Sequence, residues 1–225
     1  MITKRPHIEL DEERHIYYVD GIEYPSVSEI LEPLTAPHYK TISAETLRIA
    51  AERGRAIHEA CEEIDYGLEP EVPLEYEPYV RAYLDFKRDY KPEYLGIEMA
   101  LAYKSVLCID PPPGTMPAGT IDRYATVGKE RWIVDLKTTA SPTKINYLAY
   151  CIQTKLYEML IVGNSEEKEK PKLKRKILFL KKDGKYRLFD CEEWEAKNGI
   201  NSYDVVNALL YLNRITRPLV KGEKK

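Results

Sequence analysis

Two stretches decide the fold: Gly119-Thr120-Ile121-Asp122-Arg123 and Ile133-Val134-Asp135-Leu136-Lys137-Thr138. Side chains alternate along a strand, so Asp135 and Lys137 share one face while Val134 and Leu136 share the other. An acid and an amine two residues apart among apolar neighbours suit a pure core badly. A solvent-facing pair at a strand end would account for Asp-x-Lys alone, because the pattern is short and common. The preceding strand changes the reading, since Asp122 interrupts the apolar series Ile121, Ala125, Val127. Gly128-Lys129 allows a hairpin, which brings Asp122 and Asp135 onto neighbouring strands. Two carboxylates that close repel, and one takes up a proton unless a cation lies between them. A hard divalent ion, Mg²⁺ or Mn²⁺, answers that need. Lys137 beside it is placed to orient a water or neutralise charge on a phosphate.

Working outward, Asp20-Gly21 reads as the turn of an opening hairpin, with Ser26 or Ser28 capping a short helix that Pro33 ends. Leu47, Ala50, Gly54, Ile57, Cys61 and Ile64 recur at helical spacing and predict a helix over 43–65. A second follows over 76–90, then strands over 93–106, 119–127 and 131–138. A helix over 143–162, strands over 176–181 and 185–190 and a helix over 201–215 complete the series. The order is that of one α/β domain spanning 1–225, with a mixed central sheet flanked by helices in the sequence αβββαβ. Residues 1–42 form an N-terminal hairpin and helical elaboration, 43–190 the core, and 191–225 a C-terminal helix and tail.

Composition narrows the function classes. The 225 residues are 44% hydrophobic and 32% charged, which is globular rather than disordered or fibrous. Net charge is −3, so no polybasic tail advertises nucleic acid, although local patches rather than net charge bind phosphates. No apolar run approaches the roughly 20 residues that cross a bilayer, and the N-terminus lacks a signal peptide's apolar segment, so a cytoplasmic protein is expected. Cys61, Cys108, Cys151 and Cys191 are too scattered for a zinc or iron–sulfur site. The 18 tyrosines against 3 phenylalanines suit a wet groove as well as a core.

Taken together, Gly119-Thr-Ile-Asp122-Arg, Val134-Asp135-Leu-Lys137-Thr and Gln153-Thr-Lys-Leu-Tyr157 resemble the PD-(D/E)xK nuclease superfamily, and within it the RecB-like and phage-type exonucleases. The resemblance covers roughly residues 50–182 and implies a restriction-endonuclease-like core. It implies that Asp122 and Asp135 hold Mg²⁺ or Mn²⁺ with the Leu136 carbonyl, that Lys137 is catalytic, and that Gln153 and Tyr157 contact the DNA backbone. Arg53-Gly-Arg55-Ala-Ile-His58 resembles the segment in which a histidine completes the metal shell. An imidazole there favours Mn²⁺ more than oxygens alone do. Glu98, on the first core strand, is a further candidate ligand, with a surface carboxylate as the competing reading. Glu62, one turn beyond His58, is a weaker one. Arg53, Arg55, Arg123 and Lys144 are candidate phosphate ligands, and the run Lys172–Lys176 either extends that track or is a solvated loop. No iron–sulfur cluster is expected, since Cys191 alone lies near the C-terminus.

The function implied is metal-dependent hydrolysis of DNA from its ends in phage or mobile-element recombination. Duplex or single-stranded DNA is the expected partner, with a single-strand annealing protein or further copies of the chain as company. The enzymatic alternative is a junction or flap endonuclease; the non-enzymatic one is an inert nuclease fold that only binds DNA.

Overall fold

The antiparallel register that begins at Val127 opposite Glu130 runs back to Arg123 opposite Val134 and stops there. This pairing belongs to a five-stranded sheet in a computed structural model that describes residues 7–11, 14, 16–103, 116–139 and 145–217. Strands β1 (Ile8–Asp11), β2 (Ile16–Val19) and β3 (Ile22–Tyr24) form a separate antiparallel sheet. Helices α1 (Val27–Ile30), α2 (Glu32–Tyr39), α3 (Ala44–Asp65) and α4 (Glu77–Tyr90) follow. The large sheet then takes β4 (Glu93–Ala102), β5 (Ala118–Val127), β6 (Glu130–Thr139), β7 (Leu173–Lys181) and β8 (Tyr186–Asp190), in that spatial order. All its pairs are antiparallel except β6 with β7. Helix α5 (Tyr147–Asn164) makes that parallel crossover, and α6 (Cys191–Asn198) and α7 (Ser202–Thr216) close the chain. The α/β class with a mixed, helix-flanked sheet is therefore as expected.

Alternation along β6 divides the core. Ile133 packs with Ile121 of β5, Ile152, Leu156 and Leu160 of α5, and Val206 and Leu209 of α7. Trp132, Val134 and Leu136 face the other way, against Ile57 and Cys61 of α3 and Tyr79, Tyr83 and Phe86 of α4. Each buried aliphatic side chain contributes about 1.5–3 kcal/mol, against a few tenths for a surface pair on a helix, so these stripes decide how α3 and α5 are rotated. The small sheet packs Tyr17 and Val19 onto Ala102 and Ala118, at the end of β4 and β5.

Local signals explain most boundaries. Ser43 caps α3 by accepting the Thr46 N–H, and Ser26 caps α1 by accepting that of Glu29. Gly128, with φ of +61°, supplies the left-handed residue of the two-residue β5–β6 loop. Pro33 does not end a helix; it lies in the first turn of α2, where a missing N–H costs nothing. The α5 helix begins at Tyr147 behind the cap Asn146, later than the spacing indicated, and α6 was not legible. Strand β7 starts at Leu173, so most of the basic run over 172–176 is strand rather than loop. Among the described residues no helix is long and apolar enough to cross a membrane.

Candidate metal centre

Where the β5–β6 ladder stops, a side chain takes over from the backbone. Asp122 Oδ2 accepts the main-chain N–H of Leu136 at 2.7 Å, so the carboxylate is wedged between the two strands. On the other side of β5, Ile97 pairs with Arg123 and Met99 with Ile121. Glu98 between them has φ of +43°, in the left-handed region that a non-glycine residue inside a strand rarely occupies. Such a conformation costs about 1–3 kcal/mol and persists where surrounding contacts impose it, commonly at functional sites. His58 reaches the same point from α3, its Nδ1 3.8 Å from Asp122 Oδ2 and 3.9 Å from Glu98 Oε1. One donor atom from each of His58, Glu98 and Asp122 falls within 4.8 Å of the others.

The imidazole is oriented for ligation. Its Nε2 lies 3.1 Å from the Leu136 carbonyl oxygen, which can only accept, so Nε2 carries the hydrogen. The Nδ1 lone pair is left facing the two carboxylates, the arrangement in which a second-nitrogen hydrogen bond fixes the tautomer of a metal-binding histidine. The Leu136 carbonyl, expected as a ligand, accepts a hydrogen bond from His58.

Asp135 and Lys137 lie on the Ile133 side of β6, toward α5. Asp135 is buried, and Lys137 Nζ stands 2.7 Å from its Oδ2. That contact is an ion pair by distance but poorly directed, so both Asp135 oxygens lack a well-formed hydrogen bond. Burial pushes the Asp135 carboxyl up to about 6, with Lys137 opposing and Asp122 adding to the rise. Burial and then the Asp122 charge push Glu98 up to about 7, with Arg123 opposing. Lys137 moves the other way from what burial dictates: Asp135 and Asp122 outweigh desolvation and hold its ammonium well above the usual lysine range. Its Nζ also lies 5.2 Å from the centre of the Tyr150 ring. The carboxylates of Glu98 and Asp122 and the imidazole of His58 surround a point near which Lys137 and Arg123 supply positive charge, a donor set that fits a hard or borderline divalent cation. Asp135 is not among the three converging donors.

Helix α5 presents Gln153 and Tyr157 one turn apart, and Gln153 Nε2 donates to the Tyr157 hydroxyl at 2.9 Å. Tyr157 is only 6% exposed. It therefore supports Gln153 rather than offering its own ring to a ligand. Burial, then Asp135 and Asp122, raise its hydroxyl well above the usual tyrosine range. A Cβ at Gly119 would stand 3.2 Å from the Tyr157 ring and 2.9 Å from Val27 Cγ2, so the glycine of Gly-x-x-Asp is where that ring lies against β5.

Arg123 is not a phosphate ligand. It is 1% exposed, bonded through Nε to Asp65 and Tyr83 and through Nη1 to Glu98 and the Asp122 carbonyl. Arg175 and Lys176 likewise leave the basic track: Arg175 is enclosed by Glu158, Glu192 and Glu195, and Lys176 pairs with Asp190. Arg55 is exposed, and Arg53 is half-buried with its guanidinium 5.9 Å from the Tyr79 ring centre. Lys144 lies outside the described residues. Glu62 contributes charge to Glu98 but is not among the three converging donors.

The sequence reading passed over Asp65 and Tyr17. Asp65, seven residues after His58 on α3, carried a usable signal: an acid in the last turn of a helix opposes the dipole and needs a cation. Tyr17 carried none; its hydroxyl meets Thr120 Oγ1 at 3.0 Å only because the small sheet folds over β5.

No family model matches the chain, and no curated protein sequence matches it. A solved structure titled "Crystal structure of SSO0001" is similar at a TM-score of 0.42 and 12% identity, over 85% of this chain and 75% of that one.

Proposed function

We propose that the chain is a metal-dependent deoxyribonuclease with a restriction-endonuclease-like core of the PD-(D/E)xK kind, acting from DNA ends. One observation carries the reading: His58, Glu98 and Asp122 converge where β5 and β6 part, with the Asp135–Lys137 pair beside them. His58, Glu98 and Asp122 would hold a divalent ion, with Asp135 contributing charge from the α5 face. Bound there, Mg²⁺ or Mn²⁺ supplies Lewis acidity toward a phosphate oxygen and lowers the pKa of water.

The chain's own groups do the rest. Lys137 is kept protonated by Asp135 and Asp122, so it is a donor and not a general base. It orients the attacking water and offsets charge that builds on the phosphate in the transition state. Gln153, fixed by the Tyr157 hydroxyl, retains an N–H and its carbonyl to position the strand. Arg53 and Arg55 lie one turn and more before His58 on α3, where they can contact phosphates. The sequence carries no flanking helix-turn-helix or zinc-module pattern, so cleavage is expected to be indifferent to base sequence.

The test is a cleavage assay on matched linear and covalently closed circular duplex with Mg²⁺ or Mn²⁺, an EDTA control, and the variants Asp122→Asn and Lys137→Ala. Loss of the linear DNA alone, abolished by EDTA and by either substitution, is the expected result. Nicking of the circle would replace the exonuclease with an endonuclease. Absence of cleavage on duplex, single-stranded and branched DNA would leave a nuclease fold that only binds.

A further inference from the structure

Behind Glu98 lies a buried charge network that reaches the three-donor group through Arg123, which bonds Glu98 Oε1. The Asp65 side chain is wholly buried and receives three donors: Lys87 Nζ at 2.7 Å on Oδ1, and the Tyr83 hydroxyl and Arg123 Nε, both at 2.5 Å, on Oδ2. The Tyr83 hydroxyl is in turn 2.9 Å from that of Tyr94. Arg123 extends from this anchor in the other direction. Its Nη1 donates to Glu98 Oε1 at 2.8 Å and to the Asp122 carbonyl oxygen at 2.7 Å.

A buried arginine–aspartate pair is a poor stabiliser, since apolar residues of equal volume usually serve as well or better. Its position accounts for it. His58 and Asp65 are seven residues apart on α3, so they project from the same side of one rigid helix. His58 enters the donor group directly, while Asp65 enters it through Arg123 and Glu98. The guanidinium grips Glu98 at the residue whose φ of +43° breaks the extended course of β4.

We infer that Asp65 and Arg123 are positioning residues: α3 uses them as a clamp that holds Glu98 in its left-handed conformation and aims its carboxylate at His58 and Asp122. The inference rests on the metal-centre reading and adds the device that keeps the third donor in place. Loss of the clamp lowers metal affinity by releasing Glu98, not by unfolding the sheet. Partners of metal ligands typically contribute 10–100-fold to affinity.

The test is a double-mutant cycle read by calorimetry of Mn²⁺ binding to the EDTA-treated, dialysed chain, with wild type, Asp65→Asn, Glu98→Gln and the double variant. Asp65→Asn is expected to weaken Mn²⁺ binding about 10-fold or more in the wild-type background and by less than about twofold beside Glu98→Gln. Equal factors in the two backgrounds would reduce Asp65 to a general structural role and overturn the inference. A crystal structure of Asp65→Asn gives a readout independent of metal: Glu98 is expected to leave the left-handed region, and an unchanged φ would also overturn it. Should Asp65→Asn fail to fold, Tyr83→Phe, which removes one donor to the same carboxylate, carries the same cycle and structure. Wild-type protein that takes up no Mn²⁺, or takes it up equally well as Asp122→Asn, would defeat the metal-centre reading and this inference with it. Uptake that depends on Asp122 but treats both Asp65→Asn backgrounds alike would defeat this inference alone.

Discussion

At the scale of single residues the centre is defined by carboxyl groups that the fold makes reluctant to ionise. Burial pushes the Asp135 carboxyl up to about 6 and that of Glu98 up to about 7, both above their ordinary values. The folded chain therefore keeps these protons to higher pH than the unfolded chain does. Stability without metal falls as pH rises from about 4 to about 7, where the carboxylates ionise in place. In EDTA the thermal midpoint is expected to be lower at pH 7.5 than at pH 5.5, with a smaller fall in Glu98→Gln. A midpoint that holds steady, or a fall untouched by Glu98→Gln, would contradict the assignment. Gly119 is a second residue-scale case. Gly119→Ala forces a methyl against Val27 and the Tyr157 ring, and about 1–3 kcal/mol of destabilisation is expected by denaturant titration. That Asp122 and the Asp135–Lys137 pair lie on adjoining strands was legible because alternation is local. The burial of Arg123 was not, since a basic residue beside an acidic one reads the same whether it faces DNA or Asp65.

At the scale of elements, periodicity located the α3 and α4 helices and the β5 and β6 strands closely, because each alternates or repeats over several turns or residues. It failed where one rule had two readings. Pro33 stops a helix or starts one, and here it starts α2. Basic residues over 172–176 mark a solvated loop unless a strand draws them in, and β7 does so by giving Arg175 three glutamates. Breaking that group leaves the buried Glu195 carboxylate without its cation, so Arg175→Ala is expected to cost about 3–5 kcal/mol in urea unfolding. A loss under 1 kcal/mol would return Arg175 to the surface track. The short α1 helix depends on its cap: Ser26→Ala is expected to cost about 1 kcal/mol.

For the whole molecule, the proposed metal centre predicts linkage between cation and fold. An ion that binds only the folded chain at a hundred times its dissociation constant adds about 2.7 kcal/mol. For a chain of this size that corresponds to roughly 5–10 °C in the thermal midpoint. Mn²⁺ is expected to produce such a rise in wild type and little or none in Asp122→Asn; an equal rise in both would place the ion elsewhere. The same scale explains why the small N-terminal sheet belongs with the centre. Tyr17 crosses 103 residues of sequence to reach Thr120, two positions before Asp122.

By itself the sequence determined the α/β class, the two strands that carry Asp122, Asp135 and Lys137, and the helix that carries Gln153, because these follow from periods of two and 3.6 residues. Only the tertiary structure decided which carboxylates converge. The β5–β6 ladder opens at Asp122, Glu98 turns left-handed, and the α3 helix supplies His58 directly and Asp65 through Arg123. These are contacts between elements far apart in the chain, set by how two helix faces pack on one sheet, and no local pattern encodes them.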